Sequence, residues 1–223
     1  MTTVGLLYPG HAAEDDFPRI EILLDTDIRL PLFSTETGED AYRPDALREQ
    51  GAAERIAEGV EELRLGACGR ARGGSFAGPA STASATRYGA AGSPSPRPPG
   101  RRVGPPRLES AGIEVVAAAS GGAGSSAEAG SWGPDEVKRL VREADHPDAE
   151  VVLVPDTALH TAAYVPELEE LLGKPVLTAN QVTVWEGLRL ADRRTWAPTL
   201  GTLFATREPV LRQLEPKGIE VRE

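Results

Sequence analysis

Residues 152–192 read "VLVPDTALHTAAYVPELEELLGKPVLTANQVTVWEGLRLAD", and the alternation inside this stretch decides the fold. "DAEVVLVPD" (148–156) is too apolar for a strand with one wet face, so it is expected to be buried on both, as in a parallel sheet. "VPELEELLG" (165–173) follows as a helix that Gly173 stops. "KPVLTAN" (174–180) is a second strand and "QVTVWEGLRLAD" (181–192) a second helix. Strands that alternate with helices over such short connections predict a parallel sheet with helices on its faces. In sheets of this kind ligands bind at the carboxyl ends of the strands.

The same alternation extends outward. "SAGIEVVAAAS" (110–120) reads as a strand, and "GPDEVKRLVREAD" (133–145) as an amphipathic helix with Pro134 near its start, which makes the C-terminal half βαβαβα. At the other end, "VGLLYPG" (4–10) is a short apolar run ended by Pro-Gly, a buried strand opening onto a loop. "PRIEILL" (18–24) has helical spacing, and "DIRLPLFS" (27–34) is a strand that Pro31 confines to an edge or a bulge. Residues 43–65 predict a helix, with Leu47, Ile56, Val60 and Leu63 on one face. Three strand-end loops therefore qualify as a site: Pro9–His11, Pro155–Thr157 and Ala179–Gln181.

Between these halves the composition changes. Of the 42 residues from Gly66 to Arg107, 36 are Gly, Pro, Ser, Ala or Arg, with no Leu or Ile and a single Val. Such a segment cannot bury enough apolar surface to offset its ordering entropy, so the sequence predicts disorder there. It carries seven arginines and no Asp, Glu or Lys, whereas the whole chain has a net charge of −10. The expected organisation is a partial first α/β domain (1–65), a low-complexity segment (66–107) and a second α/β domain (108–223).

The bulk composition excludes several classes. At 223 residues and 40% hydrophobic the chain can build a sizeable core. No apolar run is long enough to span a bilayer. An N-terminus without a basic region or a long apolar stretch gives no sign of a signal peptide, so a cytoplasmic protein is expected. One cysteine precludes an internal disulfide, and three histidines with one cysteine make a zinc site unexpected. The acidic balance argues against a nucleic-acid partner.

Taken with "VGLLYPGHAAEDDFPRIE" at the N-terminus and "GTLF" (201–204), the 152–192 run resembles the superfamily of maleate cis–trans isomerases, arylmalonate decarboxylases and Asp/Glu racemases. The resemblance covers residues 4–65 and about 110–204. It implies two Rossmann-like parallel-sheet domains facing each other, here with the first incomplete, and a small dicarboxylic acid handled in the cleft without a metal or organic cofactor. A homo-oligomer is compatible with it. It also implies cysteine chemistry, with one thiol after a strand of the first domain and, in isomerases and racemases, a second after the matching strand of the second. A thiolate added to an alkene leaves a single bond that can rotate, fixed donors hold the developing negative charge, and a second residue moves the proton.

This chain departs from that pattern. Asp156 stands where the second cysteine is expected; it can move protons, but it is a poor nucleophile toward an alkene. On the functional reading Asp156 is the acid/base group and Thr157 a carboxylate donor; on the plainer reading both cap the next helix. Gly10 and His11 in the first loop, and Asn180 and Gln181 in the third, are candidate substrate-binding residues, against local turn or capping roles. His160 reads as a helix-surface or capping residue, His146 as a turn residue and Trp185 as core. Cys68, in "LGACGRARGGSFAG", is the candidate nucleophile by position, although no apolar strand precedes it.

One hypothesis accounts for the 66–107 segment: it is translated out of frame. Its residues are those favoured when a GC-rich gene is misread, it starts and ends abruptly, and Ala77-Gly78-Pro79 can be encoded so that another frame spells Trp-Ala-Cys. The alternative is a genuine Arg/Pro-rich insert for an anionic or SH3-like partner. Either way the first-domain nucleophile strand is missing, which predicts weak or absent activity, or a small-acid-binding pseudoenzyme.

Overall fold

A computed structural model of the chain describes residues 1–8, 10, 12–35, 40, 53–70, 113–193 and 195–205, excepting the side chains of 55 and 65–70. In chain order the elements are β1 (Thr2–Thr3), β2 (Leu6–Tyr8), α1 (Asp16–Leu24), β3 (Ile28–Arg29), β4 (Leu32–Ser34) and α2 (Ala53–Arg70). There follow α3 (Ser126–Gly130), α4 (Pro134–Ala144), β5 (Val152–Val154), α5 (Val165–Leu172), β6 (Val176–Thr178), α6 (Ala179–Leu190), a 3-10 turn (Pro198–Leu200) and α7 (Thr202–Ala205). The protein is mixed α/β, and every strand pairing among the described residues is parallel.

The N-terminal unit is strand, helix, strand. Thr2 lies opposite Ile28 and Leu6 opposite Leu32, so one register runs through both short ladders. The ladder is interrupted at Pro31, which has no N–H to donate, while its carbonyl still accepts from Leu6 N–H at 2.9 Å. In α1 the buried positions Phe17, Ile20 and Leu24 fall on one face. Strand alternation sends Leu6 and Tyr8 into the same core, while Leu7 points to the other side of the sheet. There α2 packs closely: a Cβ built on Gly59 would sit 2.6 Å from Leu7 Cδ2 and 2.9 Å from Phe33 Cδ1. On the core side α6 approaches as closely, a Cβ on Gly187 falling 2.6 Å from Val4 Cγ1. Helices thus cover both faces of this sheet.

The second unit repeats the plan. Val152 is opposite Val176 and Val154 opposite Thr178, with α5 as the crossover. Gly173 ends α5 in the left-handed conformation (φ 65°), as the sequence led us to expect. Pro134 occupies the first turn of α4.

Two sequence expectations differ from the structure. Of the strand expected at 110–120, residues 113–120 run as irregular chain that exposes Ile113 by 45%, and no third strand pairs with β5 and β6 among the described residues; residues 110–112 lie outside them. And β5 is not buried on both faces, since Leu153 between the buried Val152 and Val154 is 37% exposed. Of the predicted 43–65 helix, the part from Ala53 is helical; residues 43–52 lie outside the described residues.

The core has two clusters. Val137, Val141, Val154, Leu159, Leu168 and Val176 centre the one around β5 and β6. The one over the N-terminal sheet joins Leu6, Phe17 and Ile20 to Ala162, Val184, Leu188, Leu200 and Phe204. The C-terminal elements therefore complete the core of the N-terminal sheet.

Candidate functional site

The segments that leave β2, β5 and β6 meet. The Tyr8 hydroxyl donates to the Thr157 carbonyl at 3.0 Å and accepts from Ala13 N–H at 3.0 Å. The Asn180 amide donates through Nδ2 to the same carbonyl at 3.2 Å and to Asp16 Oδ2 at 3.0 Å. The Asp16 carboxylate also accepts from the backbone N–H groups of Thr161 (3.2 Å) and Ala162 (3.1 Å). Asp16 opens α1, Thr157–Ala162 follow β5, and Asn180 lies in the first turn of α6, so each partner stands beyond the carboxyl end of a different strand. Helix α3 abuts the same place, a Cβ on Gly130 falling 3.0 Å from Ala12 Cβ and 3.4 Å from the Ala158 carbonyl.

Burial sets the electrostatics of this junction. Asp16 is 2% exposed and its hydrogen-bond donors are all neutral. Loss of water raises its carboxyl above the ordinary 3.8, with the hydrogen bonds from Asn180, Thr161 and Ala162 and the nearby His160 pulling the other way. The Tyr8 phenol is pushed far above its ordinary value, first by burial and then by the negative charges of Glu14, Asp156 and Asp16, against the hydrogen bond from Ala13. Tyr8 is also fixed from the side, its ring meeting Phe17 edge to face at 5.7 Å.

Asp156 and Thr157 are half-buried at this junction. Asp156 Oδ1 accepts from Ala158 N–H at 2.9 Å, a local turn that shapes the loop leaving β5. Gly10 is buried with φ 92°, a conformation that favours glycine, and turns the chain away from β2. Asn180 is 1% exposed and bound as described. Gln181 is fully buried: its Oε1 accepts from Thr178 N–H at 3.2 Å and its Nε2 donates to the Leu200 carbonyl, so both ends of the amide serve the fold. His11 lies outside the described residues. Cys68 lies within α2, two residues before its last residue, rather than in a strand-end loop; its side chain is outside the described residues.

The remaining candidates have local roles. His160 Nε2 meets Asp15 Oδ1 at 2.5 Å across the gap between α1 and the loop after β5. His146 Nδ1 accepts from Asp148 N–H at 3.2 Å, in a turn. Trp185 packs against the N-terminal core. Sequence reasoning missed Tyr8 and Asp16. Asp16 stands in "EDD" (14–16), where three acids before a helix read alike, and only packing shows which is buried.

Among the described residues no group of three or more His, Cys, Asp and Glu side chains is placed to hold a metal ion. Among them too, no helix is long and apolar enough to cross a membrane. No protein-family model, no curated protein and no solved structure matches the chain.

Proposed function

We propose that the chain is maleate cis–trans isomerase-like, binding a small dicarboxylic acid at the junction beyond β2, β5 and β6 without a cofactor, with Asp156 as the group that can move a proton and with weak or absent turnover. One observation carries the reading: the ends of three parallel strands from two strand–helix–strand units converge on Thr157 and Asp16. This supports two Rossmann-like domains, 1–65 and 108–223, with the site between them. In this reading Asp156 is the acid/base group, and Thr157, Gly10 and His11 supply the donors that hold carboxylate oxygens. Asn180 and Gln181 support the floor from within. The protein is read as cytoplasmic and independent of membrane and nucleic acid.

Decarboxylation of an arylmalonate and racemisation of aspartate belong to the same chemistry, since each passes through a carbanion that fixed donors stabilise. Incubation with maleate, an arylmalonate or L-aspartate, followed by NMR, separates the three. Weak or absent production of fumarate is the expected result, because Asp156 is a poor nucleophile toward an alkene; proton exchange at the carbon of an arylmalonate or of L-aspartate, lost in Asp156→Asn and retained in Cys68→Ala, is the reaction it can support. Fumarate abolished by Cys68→Ala instead would assign the chemistry to the thiol.

A second reading, binding without turnover, is favoured by the placement of Cys68 on a helix rather than at a strand end. It predicts a rise in Tm with maleate, malonate or aspartate and no product. Neither product nor stabilisation with any of these acids would remove both readings.

A further inference from the structure

The peptide between Thr157 and Ala158 is held from two sides. On one side its carbonyl accepts from the Tyr8 hydroxyl at 3.0 Å and from Asn180 Nδ2 at 3.2 Å. On the other its N–H donates to Asp156 Oδ1 at 2.9 Å. A trans peptide is planar and points its C=O and N–H in opposite directions, so whatever aims the carbonyl aims the N–H as well. We propose that Tyr8 and Asn180 are positioning residues for Asp156: together they orient the Thr157–Ala158 peptide, and that peptide fixes the carboxylate. The chemical consequence rests on the reading of Asp156 as the proton-moving group; the orientation of its carboxylate does not, and needs no ligand.

Both anchors are themselves fixed. Tyr8 is 3% exposed; its one hydroxyl hydrogen goes to the Thr157 carbonyl, while its oxygen accepts from Ala13 N–H at 3.0 Å. Asn180 is 1% exposed; of its two amide hydrogens one goes to Thr157 and the other to Asp16 Oδ2 at 3.0 Å. The opposite setting of the amide would put Oδ1 against two acceptors, so this orientation is not a free choice. The Asp16 carboxylate that aims Asn180 also accepts from Thr161 and Ala162 N–H, which ties the far end of the same loop to α1. The peptide is thus gripped from β2 and α6, neither of which belongs to the loop. With both Nδ2 hydrogens spent, Asn180 has none left for a substrate carboxylate, and its part is to orient.

Direction matters to a proton carrier. With Oδ1 pinned by Ala158 N–H the carboxylate has little rotation left about its Cβ–Cγ bond, and because the group is planar the direction of Oδ2 follows. A base works only within hydrogen-bond reach of the proton it takes. A displacement of about 1 Å costs on the order of a hundredfold in rate. Without Tyr8 and Asn180 the peptide can turn about its flanking φ and ψ, and its N–H then no longer holds Oδ1. Turnover falls, while binding, which rests on other donors, is kept.

The test is a pH titration of the Ala158 amide by NMR on the full chain without ligand. An N–H that donates to a carboxylate is bound more strongly once that carboxylate ionises, so the Ala158 amide proton should shift in step with the 13C signal of the Asp156 carboxyl. The shift should be attenuated in Tyr8→Phe and in Asn180→Ala, and lost in the variant that carries both. Gly59→Ala, which loosens α2 on the other face of the N-terminal sheet, should leave it intact. In D2O, exchange of the α-proton of L-aspartate should lose about ten- to a hundredfold in kcat in either single variant, with KM unchanged. A wild-type Ala158 shift that ignores Asp156, one that survives in both single variants, or one lost equally in Gly59→Ala overturns the positioning role. Attenuation beside an unchanged kcat overturns it as well. Exchange absent from the wild type instead defeats the reading of Asp156 as the proton carrier, and the amide titration then decides the positioning role alone. Should the variant that carries both changes fail to fold, the single variants give the same decision.

Discussion

Tyr8, Phe17 and Asp16 show how few atoms hold the strand ends together. Tyr8 is 3% exposed, and its hydroxyl links Ala13 N–H to the Thr157 carbonyl. Tyr8→Phe keeps the ring contact with Phe17 but strands the Ala13 donor in a dry site. The expected loss is about 1–3 kcal/mol, the penalty for a buried unsatisfied polar group, read from urea unfolding. Phe17→Ala removes a ring that is 3% exposed and the edge-to-face partner of Tyr8, and should cost about 3–5 kcal/mol by the same measurement. A loss from Phe17→Ala below that from Tyr8→Phe would mean that the site collapses around the gap. Neither Tyr8 nor Asp16 stood out in the sequence, because a buried Tyr at a strand end and an acid before a helix are both common for reasons unrelated to a site. The loops that hold Asp156, Thr157 and Asn180 did stand out, through their placement just after strands.

At the scale of elements, the spacing of helix and sheet is set by absent side chains. Gly59 lies mid-helix in α2, where alanine is intrinsically better by about 1 kcal/mol. Its missing Cβ is what lets Leu7 and Phe33 come close. Gly59→Ala should therefore be destabilising overall, by about 1–3 kcal/mol of overpacking less that gain, with the fall in Tm as the measurement. A rise in Tm would show that α2 can move off the sheet without loss. Gly173 makes the opposite case: a Cβ there meets nothing within 4 Å, yet φ is 65°. Gly173→Ala should cost about 1 kcal/mol through backbone conformation alone. The helix stop at Gly173 and the start at Pro134 were legible because both are local rules. The strand expected at 110–120 was not a local matter. "IEVVAAAS" has the right residues, but a strand exists only where a neighbour offers a ladder, and among the described residues none pairs with it.

For the whole molecule, the two cores are joined by the chain's own return path. Leu200 and Phe204, near the end of the described residues, complete the cluster over the N-terminal sheet, and both are 2% exposed or less. Phe204→Ala should thus destabilise Leu6–Tyr8, about two hundred positions away, as much as its own surroundings. Amide exchange at Leu7 and Leu177 should accelerate together in that variant if the units unfold as one; acceleration at Leu177 alone would show them to be separate. The out-of-frame reading of residues 66–107 is decided in the coding DNA across residues 60–112. The expected finding is a second frame with an apolar strand pattern and Trp-Ala-Cys; a second frame lacking both defeats it.

Hydrophobic periodicity, Pro and Gly punctuation and the βαβ order determined by themselves that this is a mixed α/β protein with parallel pairing, because those signals act within a few residues. They also marked the loops after β2, β5 and β6 as the place to look. Only the tertiary structure decided that Asp16 is the buried acid of the three, that Gln181 is spent on holding Leu200, and that Cys68 rides on a helix. Burial and pairing depend on what comes to lie beside a residue, and here those neighbours are well over a hundred positions apart, Asp16 against Ala162 and Asn180.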